Sequence, residues 1–119
     1  MTLSRKAIRP AQTAHLLSQN ILPVSIDYRL CPEVTLIEGP IADVRDAYVW
    51  AQKQLPGIVK PMGITVKADN IAVVGWSTGG HLGMTLGWTH KEAGVSPPKA
   101  VLSFYGPTDF ESGGECIMI

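Results

Sequence analysis

Ser77 is the residue of this sequence most suited to nucleophilic chemistry, because Gly75-Trp76-Ser77-Thr78-Gly79 fits the pattern G-x-S-x-G. That spacing has a steric reason. A serine raised on a very tight strand-to-helix turn presents its hydroxyl clear of the sheet, and neighbours two residues away on each side then come too close for side chains. Gly75 and Gly79 are the elbow-shaping glycines in this reading. The same turn aims the Thr78 backbone N–H at the position of a tetrahedral oxyanion, backed by the positive end of a helix. The bland alternative is a glycine-rich turn in which Ser77 only caps that helix. Two phosphate-binding readings fail on the same residues. A dinucleotide fingerprint needs glycine two places after Gly75, where Ser77 stands, and no Gly-Lys-Ser/Thr triplet occurs.

A serine needs a base, and the three histidines serve poorly. His15 falls in the first helix described below and reads as solvated or capping. His81 follows Ser77 by four residues, so its ring would lie along the surface of their shared helix, out of line with the Ser77 proton. His90 falls near that helix's C-terminus, where a basic side chain suits the dipole. Asp109 follows the strand after the elbow helix, at the kind of strand end where α/β proteins place functional groups, and is the candidate acid. Asp27 and Arg29 read as a structural pair or as anchors of their loop. Cys31 reads as a buried, inert thiol. With Cys116 far away in sequence, the two cysteines form neither a disulfide framework nor a metal set.

The elements around these residues follow from periodicity and punctuation. Arg9-Pro10 opens a helix running through Leu17, and Asn20 is a plausible stop. Ile21–Asp27 reads as a short strand with Pro23 near its beginning. After a loop to Gly39-Pro40, Ile41, Val44, Tyr48, Ala51 and Leu55 share one helical face, with Asp43 and Asp46 toward its start. Pro56-Gly57 should end that helix. Ile71–Gly75 is an unbroken β-branched run of the kind buried on both faces of a parallel sheet. A helix then spans the residues after Ser77 to about Ala93, and Ala100–Tyr105 is the third strand, closed by Gly106-Pro107. Helix and strand alternate, which implies an α/β fold with right-handed crossovers. All three strands look central, and such a sheet alone would leave bare edges.

Composition excludes several classes of function. With ten basic and ten acidic residues the net charge is zero, and the isoelectric point near 6.8 leaves no field to draw nucleic acid or anionic lipid. A 45% hydrophobic content and a mean hydropathy of +0.14 are too apolar for a disordered tail. No apolar run approaches the roughly 18 residues of a membrane span. The start lacks the uninterrupted apolar stretch of a signal peptide. The expectation is a cytoplasmic protein with no nucleic-acid or membrane partner.

Three segments carry a family resemblance. Val24-Ser-Ile-Asp-Tyr-Arg-Leu-Cys-Pro-Glu33 resembles the V-x-x-D-Y-R-L-A-P-E segment of the hormone-sensitive-lipase-like branch of α/β-hydrolases. Ile71–Leu82 resembles that branch's elbow, including its extra glycine, and Ala100–Asp109 resembles the strand that follows. The sequence is more similar still to the terminal hydrolase (thioesterase) domains of fungal non-reducing polyketide synthases. The resemblance implies that residues 1–119 form the central part of an α/β-hydrolase three-layer sandwich with a mainly parallel sheet, truncated at both ends. It implies that an H-G-G-G oxyanion segment would precede Met1, and that the family's acid and histidine would lie downstream. Residues 112–119 match nothing in the family and read as a foreign tail.

The implied activity is hydrolysis of carboxylic esters or thioesters through a Ser77 acyl-enzyme, with Thr78 matching the family's donor after the nucleophile. Trp76 and Trp88 are candidates to line an apolar acyl pocket. No cofactor and no metal are implied. The substrate would be a small acyl ester or thioester, and a domain of a multidomain synthase would meet an acyl-carrier protein. Loss of the base in serine hydrolases removes on the order of a millionfold in turnover, so the 119-residue chain by itself is expected to be inactive. The competing expectation is a non-catalytic remnant or interaction module that pairs through exposed sheet edges.

Overall fold

The structure is a computed structural model that describes residues 5–108. The chain divides into two compact units, Met1–Ala68 and Asp69–Ile119.

In the first unit, a 3-10 turn at Arg5–Ala7 leads to helix α1, Pro10–Ser18, with proline in its first turn as the sequence suggests. Asn20 ends it in the left-handed conformation, φ 57°. The amides of Asn20 and Ile21 return to the Leu17 and Leu16 carbonyls at 3.0 and 2.9 Å, satisfying the helix's last acceptors. The expected strand at residues 21–27 is absent, because that stretch forms no ladder with any described strand. β-Branched residues favour an extended backbone, but a strand exists only where a partner supplies hydrogen bonds.

Helix α2, Ala42–Lys53, buries Val44 and Tyr48, two of the residues expected on its inner face. A π turn at Ile37–Ile41 precedes it, with the Ile41 amide on the Leu36 carbonyl at 3.1 Å. Thr35 starts this turn by accepting the Glu38 amide at 3.2 Å on its hydroxyl. Helix α2 ends at Lys53, just before Pro56-Gly57 as expected, but helical turns resume at once. After a break at Gln54, helix α3 spans Leu55–Val59 with Pro56 in its first turn, where its missing N–H costs nothing. The 3-10 turn Lys60–Met62 and the left-handed Gly63, φ 77°, then close it.

The second unit carries both described strands. Strands β1, Ala72–Trp76, and β2, Ala100–Phe104, pair in parallel from Ala72↔Ala100 to Trp76↔Phe104. Helix α4, Thr78–Glu92, joins them and packs on one face of the pair. Leu82, Thr85, Leu86 and Thr89 form its buried stripe at helical spacing. The buried threonine hydroxyls donate back to the Leu82 and Thr85 carbonyls at 2.6 and 3.0 Å. A Cβ on Gly83 would lie 3.1 Å from the Val73 side chain, so helix and sheet approach closely there. Gly94, φ 63°, ends α4, with the Val95 amide on the His90 carbonyl at 3.2 Å.

The sheet is thus α/β and parallel, but the expectation that its strands are buried on both faces fails. Val74, Trp76, Leu102 and Phe104 lie on the face away from α4 and are exposed.

Candidate active site

Ser77 sits at the junction between β1 and α4, as the N-cap of the helix, with φ 54° and ψ −125°. A non-glycine residue at positive φ is strained, at a cost of about 1–3 kcal/mol. Local hydrogen bonds hold that conformation. The Ser77 amide extends the parallel ladder to the Phe104 carbonyl at 2.9 Å, and the Ser77 carbonyl accepts from Gly80 and His81 at 2.9 and 3.2 Å. The side chain makes no capping bond to the helix, and the residue is exposed. The hydroxyl is therefore presented outward, which a simple N-cap serine would not do.

Glycines make the turn possible. A Cβ on Gly75 would lie 2.2 Å from the Gly79 carbonyl oxygen and 2.6 Å from the Gly80 nitrogen, both backbone atoms. Thr78 is the first residue of α4, where an amide has no intrahelical acceptor and the helix dipole is positive. The site can thus present a hydroxyl beside a helix N-terminus suited to developing negative charge.

The candidate partners are scattered. His81 lies one turn into α4, on the same helix as Ser77. His90 is at the other end of that helix, with Nδ1 3.0 Å from the Val95 carbonyl oxygen, a local C-terminal contact. His15 belongs to α1 in the first unit. Asp109, the candidate acid, and Cys116 lie outside the described residues.

Several supporting residues differ from expectation. Asp27 and Arg29 do not pair with each other, because each is taken by another partner. Asp27 pairs with Arg5, whose backbone and side-chain bonds hold its carboxyl below the usual range. Arg29 makes a forked pair with Asp43, at 2.8 Å for the closest contact, and donates to the Glu38 carbonyl at 2.9 Å. The guanidinium's hydrogen bonds lower the Asp43 carboxyl's pKa and raise that of Arg29. Both residues anchor the loop, as expected, through partners distant in sequence. Cys31 is free but only half-buried.

Trp76 stacks on Phe104 with ring centroids 5.7 Å apart and planes 10° from parallel. Trp88 is exposed on α4. Sequence reasoning missed Ser103 and Gly106. A Cβ on Gly80 would meet the Ser103 hydroxyl at 2.5 Å, and a Cβ on Gly106 would meet the His81 nitrogen at 2.9 Å. The Gly79-Gly80 doublet was the only local hint of that contact. Among the described residues no cluster of His, Cys, Asp and Glu is arranged to hold a metal ion, and no helix is long and apolar enough to cross a membrane.

Comparison with known proteins gives a consistent picture. A family profile described as alpha/beta hydrolase fold matches residues 11–117. The chain is 67% identical over 113 residues to a non-reducing polyketide synthase of Preussia isomera, covering 95% of this chain and 5% of that protein. It is 60% identical over 112 residues to one of Stereocaulon alpinum, covering 94% and 4%. With one of Stachybotrys bisbyi it shares 51% identity over 118 residues, covering 99% and 5%. The chain therefore spans about one-twentieth of the length of these relatives. No solved structure matches it.

Proposed function

Because this chain belongs to the alpha/beta hydrolase fold family, we propose that it carries the nucleophile-bearing part of a serine hydrolase acting on carboxylic esters or thioesters. The observation that carries this reading is the strained, outward-facing Ser77, held at φ 54° between β1 and α4 without a capping bond. In the reaction, Ser77 Oγ attacks the acyl carbon and its proton passes to a base. The Thr78 N–H donates to the oxyanion, and collapse releases an alcohol or thiol and leaves an acyl-enzyme. Water or an internal nucleophile of the acyl chain then frees Ser77. The relatives are named polyketide synthases, which favours an acyl thioester as substrate and an acyl-carrier protein as partner. Asp109 stays the candidate acid on sequence grounds, and the hydrolase domain is assigned to residues 1–119; the family match runs to residue 117 and so takes in most of the segment 112–119 that the sequence reading sets apart as a tail.

His81 and His90 lie on the helix that Ser77 caps, where a ring runs along the helix surface, and the chain by itself is expected to show no appreciable turnover of a short-chain aryl ester. Excess fluorophosphonate should still modify Ser77 slowly and stoichiometrically, read by peptide mass, and Ser77→Ala should remove that modification. Modification only at other residues would overturn Ser77 as nucleophile. Aryl-ester turnover that disappears in Ser77→Ala would overturn the expected inactivity.

A second reading has its own observation. Val74, Leu102 and Phe104 expose an apolar sheet face, and among the described residues β1 and β2 each have only one neighbour. A non-catalytic interaction module would use such edges to pair with another chain. A soluble monomer with a cooperative melt and no Ser77 modification would favour that module. Aggregation with Ser77 modification intact would favour the incomplete enzyme.

A further inference from the structure

We propose that the end of β2, at Ser103 and Gly106, is the seat that sets the position of the first turn of α4, and with it Ser77 and the Thr78 N–H. Ser103 is thereby a positioning residue for the elbow. The inference rests on the reading of Ser77 as nucleophile but concerns residues outside the G-x-S-x-G segment.

The geometry is a stack of close approaches. Gly75 and Ser103 are register partners in the parallel pair. Above Gly75 lies the Gly79-Gly80 backbone, close enough that a Cβ on Gly75 would sit 2.2 Å from the Gly79 oxygen. Above Ser103 lies Gly80, whose own Cβ would sit 2.5 Å from the Ser103 hydroxyl and 3.1 Å from the Gly75 oxygen. Gly106 closes the far side, since its Cβ would meet the Ser103 hydroxyl at 2.6 Å, the His81 nitrogen at 2.9 Å and the Gly80 carbonyl carbon at 3.1 Å. Tyr105 turns the chain between these contacts with φ 44°, another strained non-glycine backbone. The Ser77 amide bond to the Phe104 carbonyl, at 2.9 Å, ties the same stretch to the elbow.

The first turn of α4 therefore rests on β2, with backbone atoms closing the space at Gly75 and Gly106 and the Ser103 hydroxyl filling it at Gly80. Close-packed atoms pass on a displacement instead of absorbing it. A shift of even part of an ångström at Gly80 and His81 moves the Ser77 carbonyl bonded to them, and with it the hydroxyl and the donor at Thr78. Misplacement of about 1 Å costs on the order of a hundredfold in rate.

The test is a double-mutant cycle on the full chain. Gly80→Ala should slow fluorophosphonate modification of Ser77 by about tenfold or more and shift the backbone amide resonances of Thr78, Gly80 and His81, leaving those of α2 in place. Ser103→Ala empties the seat and should by itself slow the modification and shift the Thr78, Gly80 and His81 amides. Combining it with Gly80→Ala removes the 2.5 Å collision and should restore most of the rate and the native amide positions. Gly106→Ala should resist such rescue, because its collision with the His81 backbone remains.

If Gly80→Ala fails to fold, the double variant should fold. A double variant that folds or reacts no better than Gly80→Ala overturns the seat. Unchanged amide shifts and modification rate in Gly80→Ala also overturn it. If wild type is not modified at Ser77, the nucleophile reading fails, and the amide shifts alone still decide the seat.

Discussion

At Ser77 the backbone carries strain that the side chain does not relieve by capping, and this separates two substitutions that both remove the hydroxyl. Glycine adopts φ 54° freely and alanine does not. Ser77→Gly should therefore be more stable than Ser77→Ala by about 1 kcal/mol, measured by denaturant melting, with both lacking fluorophosphonate modification. Two carboxyls add a pH dependence. Asp27 and Asp43 are held below their ordinary value of 3.8 by bonds from Arg5 and Arg29. Unfolded, both groups bind protons more readily than when folded. Their contribution is thus complete above the ordinary carboxylate range and is lost as pH falls through the depressed folded values. Asp43→Asn should lower the urea midpoint at pH 7 and flatten its decline toward pH 3; an unchanged profile would show that the fork with Arg29 is inert. The pattern G-x-S-x-G made the tight turn at Ser77 and the close approach at Gly75 legible from sequence, because a tight turn is a local steric object. Ser103 and the partners of Asp27 and Arg29 were not, because those contacts join residues far apart in the chain.

At the scale of elements, the two faces of the β1–β2 pair make opposite predictions. Leu86, on the buried side of α4 that covers one face of the pair, is 1% exposed, and Leu86→Ala should cost about 3 kcal/mol through lost burial and an unfilled cavity. Leu102 is 54% exposed on the other face, and Leu102→Ser should stay within about 0.5 kcal/mol of wild type. Denaturant melts of both variants check the assignment of faces, and a large loss at Leu102 would refute it. Helices were the most legible elements. The apolar spacing of α2 identified Val44 and Tyr48, and proline and Asn20 marked the ends of α1. The stop expected at Pro56 holds for α2, which ends at Lys53, but the same proline sits in the first turn of α3, where it begins a helix. The expected strand at residues 21–27 failed, since propensity is local and a ladder is not.

At the scale of the whole molecule, an apolar sheet face open to solvent is a liability unless something covers it. The chain should associate in a concentration-dependent way by sedimentation, and Leu102→Ser combined with Phe104→Ser should shift it toward monomer. A wild-type chain that stays monomeric at high concentration would refute this role for the face. The family was legible because its marks lie within short segments: the elbow, the D-Y-R-L loop and the strand before Gly106. Each depends on neighbours in the chain, so residue type and spacing alone determined an α/β arrangement, a serine on a strand-to-helix turn and the helical faces that seek burial. Tertiary structure decided which strand found a partner, which sheet face stayed bare, where Arg29 and Asp27 spent their charges, and that β2 supports the elbow. Those outcomes depend on hydrogen bonds and packing between residues distant in sequence, whose meeting no local pattern encodes.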